Sequence, residues 1–115
     1  MASVDADYKQ ILQQDLPALD SLDRALNGAA EDDPLLEGVR LVRSELTAAL
    51  ARVGVEAFAP VGERFDPNEH EAVAQQPVEG AESGTVAEVY QAGYRSCVGA
   101  NSGAVIRPAR VLVAE

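Results

Sequence analysis

Apolar residues recur at steps of three and four through the first half of this chain and at steps nearer two through parts of the second, with the change at Gly54. From Val4 to Asn27, Tyr8, Ile11, Leu12, Leu16, Leu19, Leu22 and Leu26 fall on one stripe of a helix. Asn27-Gly28 closes it, because both residues accept the left-handed conformation that ends helices. Pro17 removes one backbone donor inside this run and crowds the turn before it, which predicts a kink near Gln13 to Leu16. A second helix is predicted from Asp33-Pro34, a capping residue followed by a proline suited to the first turn. Its stripe is Leu35, Val39, Val42, Leu46, Leu50 and Val53, and Gly54 ends it. The connection from Gly28 to Asp33 is short, so the two helices should fold back on each other.

A hairpin with one apolar stripe per helix cannot cover both stripes by itself. A second copy could, as a four-helix bundle about a twofold axis. Gly38 sits inside the second helix, where alanine would be about 1 kcal/mol better, so either a second backbone approaches there or the glycine has no role. After Gly54 come short β-type runs separated by Gly, Pro, Asn and Asp: Val55 to Val61, Ala72 to Gln76, Thr85 to Gln91 and Val105 to Val113. Pro60, Pro67, Pro77 and Pro108 push their surroundings to edges and turns, which favours small sheets. The fold class expected is α+β, with a helical hairpin over residues 1–54 and a compact β module over 55–115.

Composition narrows the partners. The 115 residues, 47% hydrophobic and 24% charged, suit one globular domain or two very small ones. At this size a domain buries only about two thirds of its unfolded surface, which favours self-association. Nineteen acids against nine Lys and Arg give a net charge of -10, which repels phosphate backbones and anionic headgroups. Neither nucleic acid nor a membrane is therefore an expected partner. The N-terminal residues MASVDADYKQ lack the basic and apolar regions of a signal peptide, and a cytoplasmic location is expected.

Candidate chemistry is sparse. His70, the single histidine, lies between Glu69 and Glu71 and could serve as a general base or metal ligand, but no second His or paired Cys completes a site. A structural or interface role accounts for it more simply, as does a free thiol for the single Cys97. Asp66-Pro67-Asn68 reads as a rigid corner, the Asp or Asn side chain capping a turn in which proline fixes one angle. Asp5, Asp7, Asp32 and Asp33 are acids near helix N-termini, where the dipole favours them. Gly80 to Gly84 and Gly99 to Gly103 lack the spacing and lysine of a phosphate-binding loop. No catalytic residue, metal or cofactor is expected; a hydrolase built on His70 with Glu69 or Glu71 is the remaining enzymatic possibility.

Three segments, FDPNEHEAV from Phe65, GTVAEVYQAGY from Gly84 and IRPARV from Ile106, follow two amphipathic helices in this order and resemble the GrpE family, nucleotide exchange factors of the seventy-kilodalton heat-shock chaperones. LPALDSLDRAL, Leu16 to Leu26, resembles the family's proline-containing helix. LLEGVRLVRSEL and LARVGVEAF resemble its second helix and the exit toward the β domain. The resemblance covers nearly the whole chain and implies a homodimer joined by a four-helix bundle, with a small β domain projecting as a wing.

The implied function is release of ADP from a DnaK-type chaperone by binding and opening its ATPase domain. The implied chaperone-binding residues are Phe65, Pro67, Asn68, Tyr90 and Val113, with Arg24 on the first helix. Tyr90 stands where the family often has an aliphatic residue or Met. Phe65 and Val113 read equally well as core of the β module, and Arg24 as a partner for Asp20 on its own helix. Leu19, Leu22, Leu26, Leu46 and Leu50 are the implied dimer core. Two departures bear on this. The chain begins 15 residues, about four helical turns, ahead of the LPALD segment, where the family carries a longer helix, so most of that helix is expected to be lacking, naturally or by trimming. Ser96 to Val105 is longer than the family's connection and places Ala104 where a basic residue is usual. The alternative function is a shortened GrpE-like protein that dimerises or binds a chaperone without promoting exchange.

Overall fold

The structure is a computed structural model that describes residues 11–97 and 103–115. Its order is helix, helix, then six strands, and it divides into two compact units, Met1–Val55 and Glu56–Glu115.

In the first unit, α1 spans Leu16–Gly28 and α2 spans Leu36–Arg52. A wide π-helical turn, Ile11–Asp15, leads into α1 at the place where a kink was expected. Pro17, in the first turn of α1, has no N–H to offer the preceding residues, and a π turn absorbs that missing bond. The predicted start at Val4 and the stripe position Tyr8 lie outside the described residues. The second helix begins later than the Asp33-Pro34 signal suggested. Asp33 Oδ1 accepts the Leu35 amide at 2.9 Å and Asp33 O accepts that of Leu36 at 3.0 Å, so the aspartate closes a turn before the helix starts. The two helices pack on each other and are tied by an ion pair between Arg43 and Asp23.

Leu16, Leu19, Leu36 and Leu50 are the buried residues of these helices. The predicted stripe of the second helix is only partly covered. Leu35 is 73% exposed, Val42 51% and Val53 58%, and Leu41, outside that stripe, is 60% exposed. One helix can cover one side of its neighbour, so a set of apolar positions wider than that side is left facing outward. Gly38 has open space around the position a Cβ would take, so within one chain no backbone requires it.

The second unit holds two three-stranded sheets, ordered β1-β4-β5 and β2-β6-β3. The strands are β1 Val55–Phe58, β2 His70–Gln76, β3 Val86–Gln91, β4 Gly93–Ser96, β5 Val105–Arg107 and β6 Ala109–Ala114. β6 is the centre of its sheet, parallel to β2 and antiparallel to β3. Its burial reflects this: Ala109, Val111, Leu112, Val113 and Ala114 are all buried. Val86, Ala109, Val111 and Val113 form the core cluster, with Phe58, Phe65 and Val89 packed against it.

Three sequence expectations change here. Val105 to Val113 is two strands, cut at Pro108, whose missing N–H cannot enter a ladder, and the two pieces pair in different sheets. β4, with the sequence GYRS, was not expected at all. β1 ends at Phe58, two residues before the buried Pro60. The long connection after β4 is closed at its mouth by Gly103 N to Ser96 O, 2.6 Å, and Ser96 N to Ala104 O, 2.8 Å. Residues 98–102 within it lie outside the described residues.

Candidate functional site

The segment Phe65 to His70 folds into a corner that its own atoms hold closed. Asp66 Oδ1 accepts the Asn68 amide at 2.9 Å, the Asx arrangement expected of Asp before Pro. Asp66 O accepts the amides of Glu69 at 3.0 Å and His70 at 2.8 Å. In the other direction, the Asp66 amide donates to Nδ1 of His70 at 2.9 Å. Asp66 and His70 are thus joined twice, once through each backbone amide. Phe65 N donates to Gly84 O at 2.9 Å, and Ala109 N to Glu69 O at 3.1 Å, which fasten the two ends of the corner to neighbouring segments of the sheet. Pro67 and Asn68 are left exposed at its tip.

Behind the tip lies an aromatic packet. His70 is buried, 5% exposed. Its ring centroid is 5.8 Å from that of Phe65 and 6.4 Å from that of Phe58, both tilted. The Arg95 guanidinium sits 4.2 Å from the centroid of Phe58 and 3.3 Å from Glu69, so a residue of β4 reaches both the packet and the corner. Arg95 Nε is buried without a hydrogen-bond partner, and the ring face it covers supplies part of the missing stabilisation. Gly93, two residues earlier on β4, lets the Phe58 ring and the backbone of β6 approach. No sequence signal pointed to Phe58 or Arg95, because they meet across separations of more than thirty residues.

The sequence-derived site residues fall into distinct groups. Pro67, Asn68 and Tyr90 are exposed, Tyr90 at 53%. Phe65 is half-buried and packs on the core cluster. Val113 is 6% exposed and belongs to that cluster, so its side chain serves the interior of the β unit. Arg24 is exposed on α1 and donates from Nη2 to Ser21 Oγ at 3.2 Å. Of the implied dimer residues, Leu19 and Leu50 are buried within a single chain, whereas Leu22, Leu26 and Leu46 are half-buried.

An apolar feature not anticipated is Val73, 40% exposed on β2. The register of β2 shifts between Ala72 and Ala74, and that of β3 between Val89 and Gln91, so Val73 and Tyr90 each sit at an irregularity flanking β6. Bulges of this kind re-aim a side chain out of the ladder. A shallow groove is lined by Val61, Val78, Ala81 and Val86, with Glu79 and Glu82 beside it. Among the described residues no group of three or more His, Cys, Asp or Glu is placed to hold a metal ion, and no helix is long and apolar enough to cross a membrane.

These features define an α+β protein whose distinctive elements are surfaces: a helical hairpin with apolar residues on its outside, and a β unit bearing a fixed Asp-Pro-Asn corner. The GrpE family model matches residues 2–115. The chain belongs to the GrpE family. It is similar to Protein GrpE of Exiguobacterium sibiricum, 42% identical over 108 residues, which covers 91% of this chain and 55% of that protein. It is similar to Protein GrpE of Pasteurella multocida, 44% identical over 104 residues, covering 86% of this chain and 50% of that one. Against Protein GrpE of Bacillus cereus (strain B4264) it is 42% identical over 101 residues, with 85% and 51% covered. The chain spans about half the length of the curated relatives it matches.

Proposed function

We propose that the chain is a homodimeric co-chaperone that promotes ADP release from a DnaK-type heat-shock chaperone. The observation that carries this reading is the GrpE family match across residues 2–115. The corner at Pro67 and Asn68, with Tyr90 on β3, is the surface offered to the chaperone's ATPase domain. Phe65 supports that corner from behind, and Arg24 on the helical unit is a separate contact of its own. The dimer is a four-helix bundle in which Leu22, Leu26 and Leu46 meet their counterparts, with Leu41 and Val42 extending the contact.

Exchange of this kind makes and breaks no covalent bond in the factor. A surface that binds the open form of the ATPase domain more tightly than the closed form shifts that domain toward opening, and ADP leaves. Reciprocity requires that nucleotide binding weaken the factor's hold by the same factor, so ATP ejects it. Reversing a closed preference of about 99 to 1 takes about 5.5 kcal/mol of differential affinity. A few well-buried anchor residues reach that magnitude.

The test is the dissociation rate of a labelled ADP from the chaperone, with and without the protein. Acceleration that saturates with concentration is expected. Calorimetric binding with an unchanged ADP off-rate would instead select a dimerising, chaperone-binding protein without exchange activity.

A further inference from the structure

We infer that His70 is the positioning residue of the Phe65–Asn68 corner: its unprotonated Nδ1 latches the Asp66 amide, and adding a proton to the ring releases the corner and weakens partner binding. The partner-binding half of this rests on the reading of the corner as the chaperone-facing surface. The latch itself stands on the geometry of the β unit alone.

Asp66 N can donate to Nδ1 at 2.9 Å only if that nitrogen carries a lone pair. An imidazolium presents a proton at both nitrogens, so the same geometry would set two donors face to face. The ring cannot easily turn to avoid this. It is 5% exposed, Phe65 and Phe58 stand at 5.8 and 6.4 Å, and its own amide is fixed to Asp66 O. The movable side of the contact is the corner, of which Pro67 and Asn68 are exposed.

The charges around the ring are largely engaged with one another. Glu69 of the corner pairs with Arg95 of β4 at 3.3 Å, and Glu71 of β2 approaches Arg110 of β6 at 3.9 Å. Asp66 Oδ1 is occupied by the Asn68 amide, and Arg95 also lies over Phe58 of β1, the strand that carries the exposed Glu56. Among the described residues, the hydrogen bond at Nδ1, the atom at which the proton would arrive, comes from the Asp66 amide. His70 touches the partner nowhere in this scheme and acts through Asp66.

Because the chain has one histidine, its ring nitrogens are readable without assignment ambiguity. In protein labelled with nitrogen-15 histidine, the ring shifts at neutral pH should show the Nε2–H tautomer with Nδ1 unprotonated. Amide exchange should show at least tenfold loss of Asp66 protection on acidification of the wild type. His70→Phe, which keeps a ring but has no acceptor, should lack that protection at neutral pH as well. His70→Asn, whose Oδ1 can stand near the Nδ1 position, should restore it and remove its pH dependence. Affinity for the chaperone's ATPase domain, measured in parallel, should fall on acidification for the wild type and not for His70→Asn.

An Nδ1–H tautomer or an imidazolium at neutral pH overturns the latch in the wild type, whether or not either variant folds. Equal Asp66 protection in wild type and folded His70→Phe overturns it as well. If protection follows His70 as stated while affinity does not, the latch stands and the claim that it governs partner binding is overturned. Absence of chaperone binding by the wild type at any pH is the separate failure of the functional reading.

Discussion

Gly93 lies against the edge of the Phe58 ring, and a Cβ on Gly93 would meet both that ring and, at 2.7 Å, the Ala109 backbone nitrogen. The ring could shift, but the strand backbone of β6 cannot, because Ala109 N is bonded to Glu69 O at 3.1 Å. Gly93→Ala therefore overpacks a rigid contact and should cost about 2 kcal/mol or more of stability. Displacing Phe58 also disturbs Arg95 and His70, which lie against its ring. A denaturant melt of Gly93→Ala should show a lowered midpoint at unchanged slope. A midpoint within error of the wild type would mean that β4 moves aside freely.

Val113 and Tyr90 were placed together by family resemblance and are separated by burial. Val113, 6% exposed in the core cluster, should behave as a packing residue. Val113→Ala is expected to lower stability by about 1 to 2 kcal/mol through lost contacts and residual space. Tyr90 is 53% exposed, and Tyr90→Ala should change stability by less than about 0.5 kcal/mol while weakening chaperone binding. Thermal melts paired with calorimetry on the chaperone's ATPase domain distinguish the two. The assignment fails if Tyr90→Ala loses stability and retains full affinity.

The corner was legible from the sequence because its chemistry is local. Asp, Pro and Asn within three positions specify a turn, and His70 follows Asp66 by four residues, a spacing at which a side chain can return to the backbone. The packet behind it was not legible. Phe58, His70 and Arg95 are brought together by strand pairing, and nothing in the segment GYRS alternates strongly enough to announce β4. Pro108 was visible as a breaker, but which sheet each half of that run would join depends on partners far along the chain. In the helices the stripe found the apolar positions of α2 without saying which of them α1 would cover. Val42 illustrates this: it fits the helical period and is 51% exposed.

The ion pair between Asp23 and Arg43 joins α1 to α2 with both side chains about one third exposed, 32% and 38%. Partial exposure screens it, so a double-mutant cycle with Asp23→Asn and Arg43→Gln should return a coupling of at most about 1 kcal/mol. The coupling should shrink in high salt, since screening lengths fall to about 3 Å at 1 M. A coupling that salt does not touch would indicate that the pair is more enclosed than its exposure implies.

Dimerisation and hairpin stability should respond to different residues of the same helices. Leu41 and Val42 are 60% and 51% exposed on α2, so neither contributes much to the folding of a single hairpin. A second copy would remove them from water, at about 25 cal/mol for each Å² of apolar surface covered. Charged groups in that contact would have to be desolvated without partners, a penalty of several kcal/mol per ion that the hairpin alone does not incur. The double variant Leu41→Lys, Val42→Glu should therefore fall from dimer to monomer in light scattering at micromolar concentration while its helical circular dichroism is kept. Leu19→Ala, at a position fully buried within one chain, should instead lower stability by about 2 to 5 kcal/mol. A wild-type protein that is already monomeric at that concentration, or a double variant that remains dimeric, would rule out this face of α2 as the dimer contact.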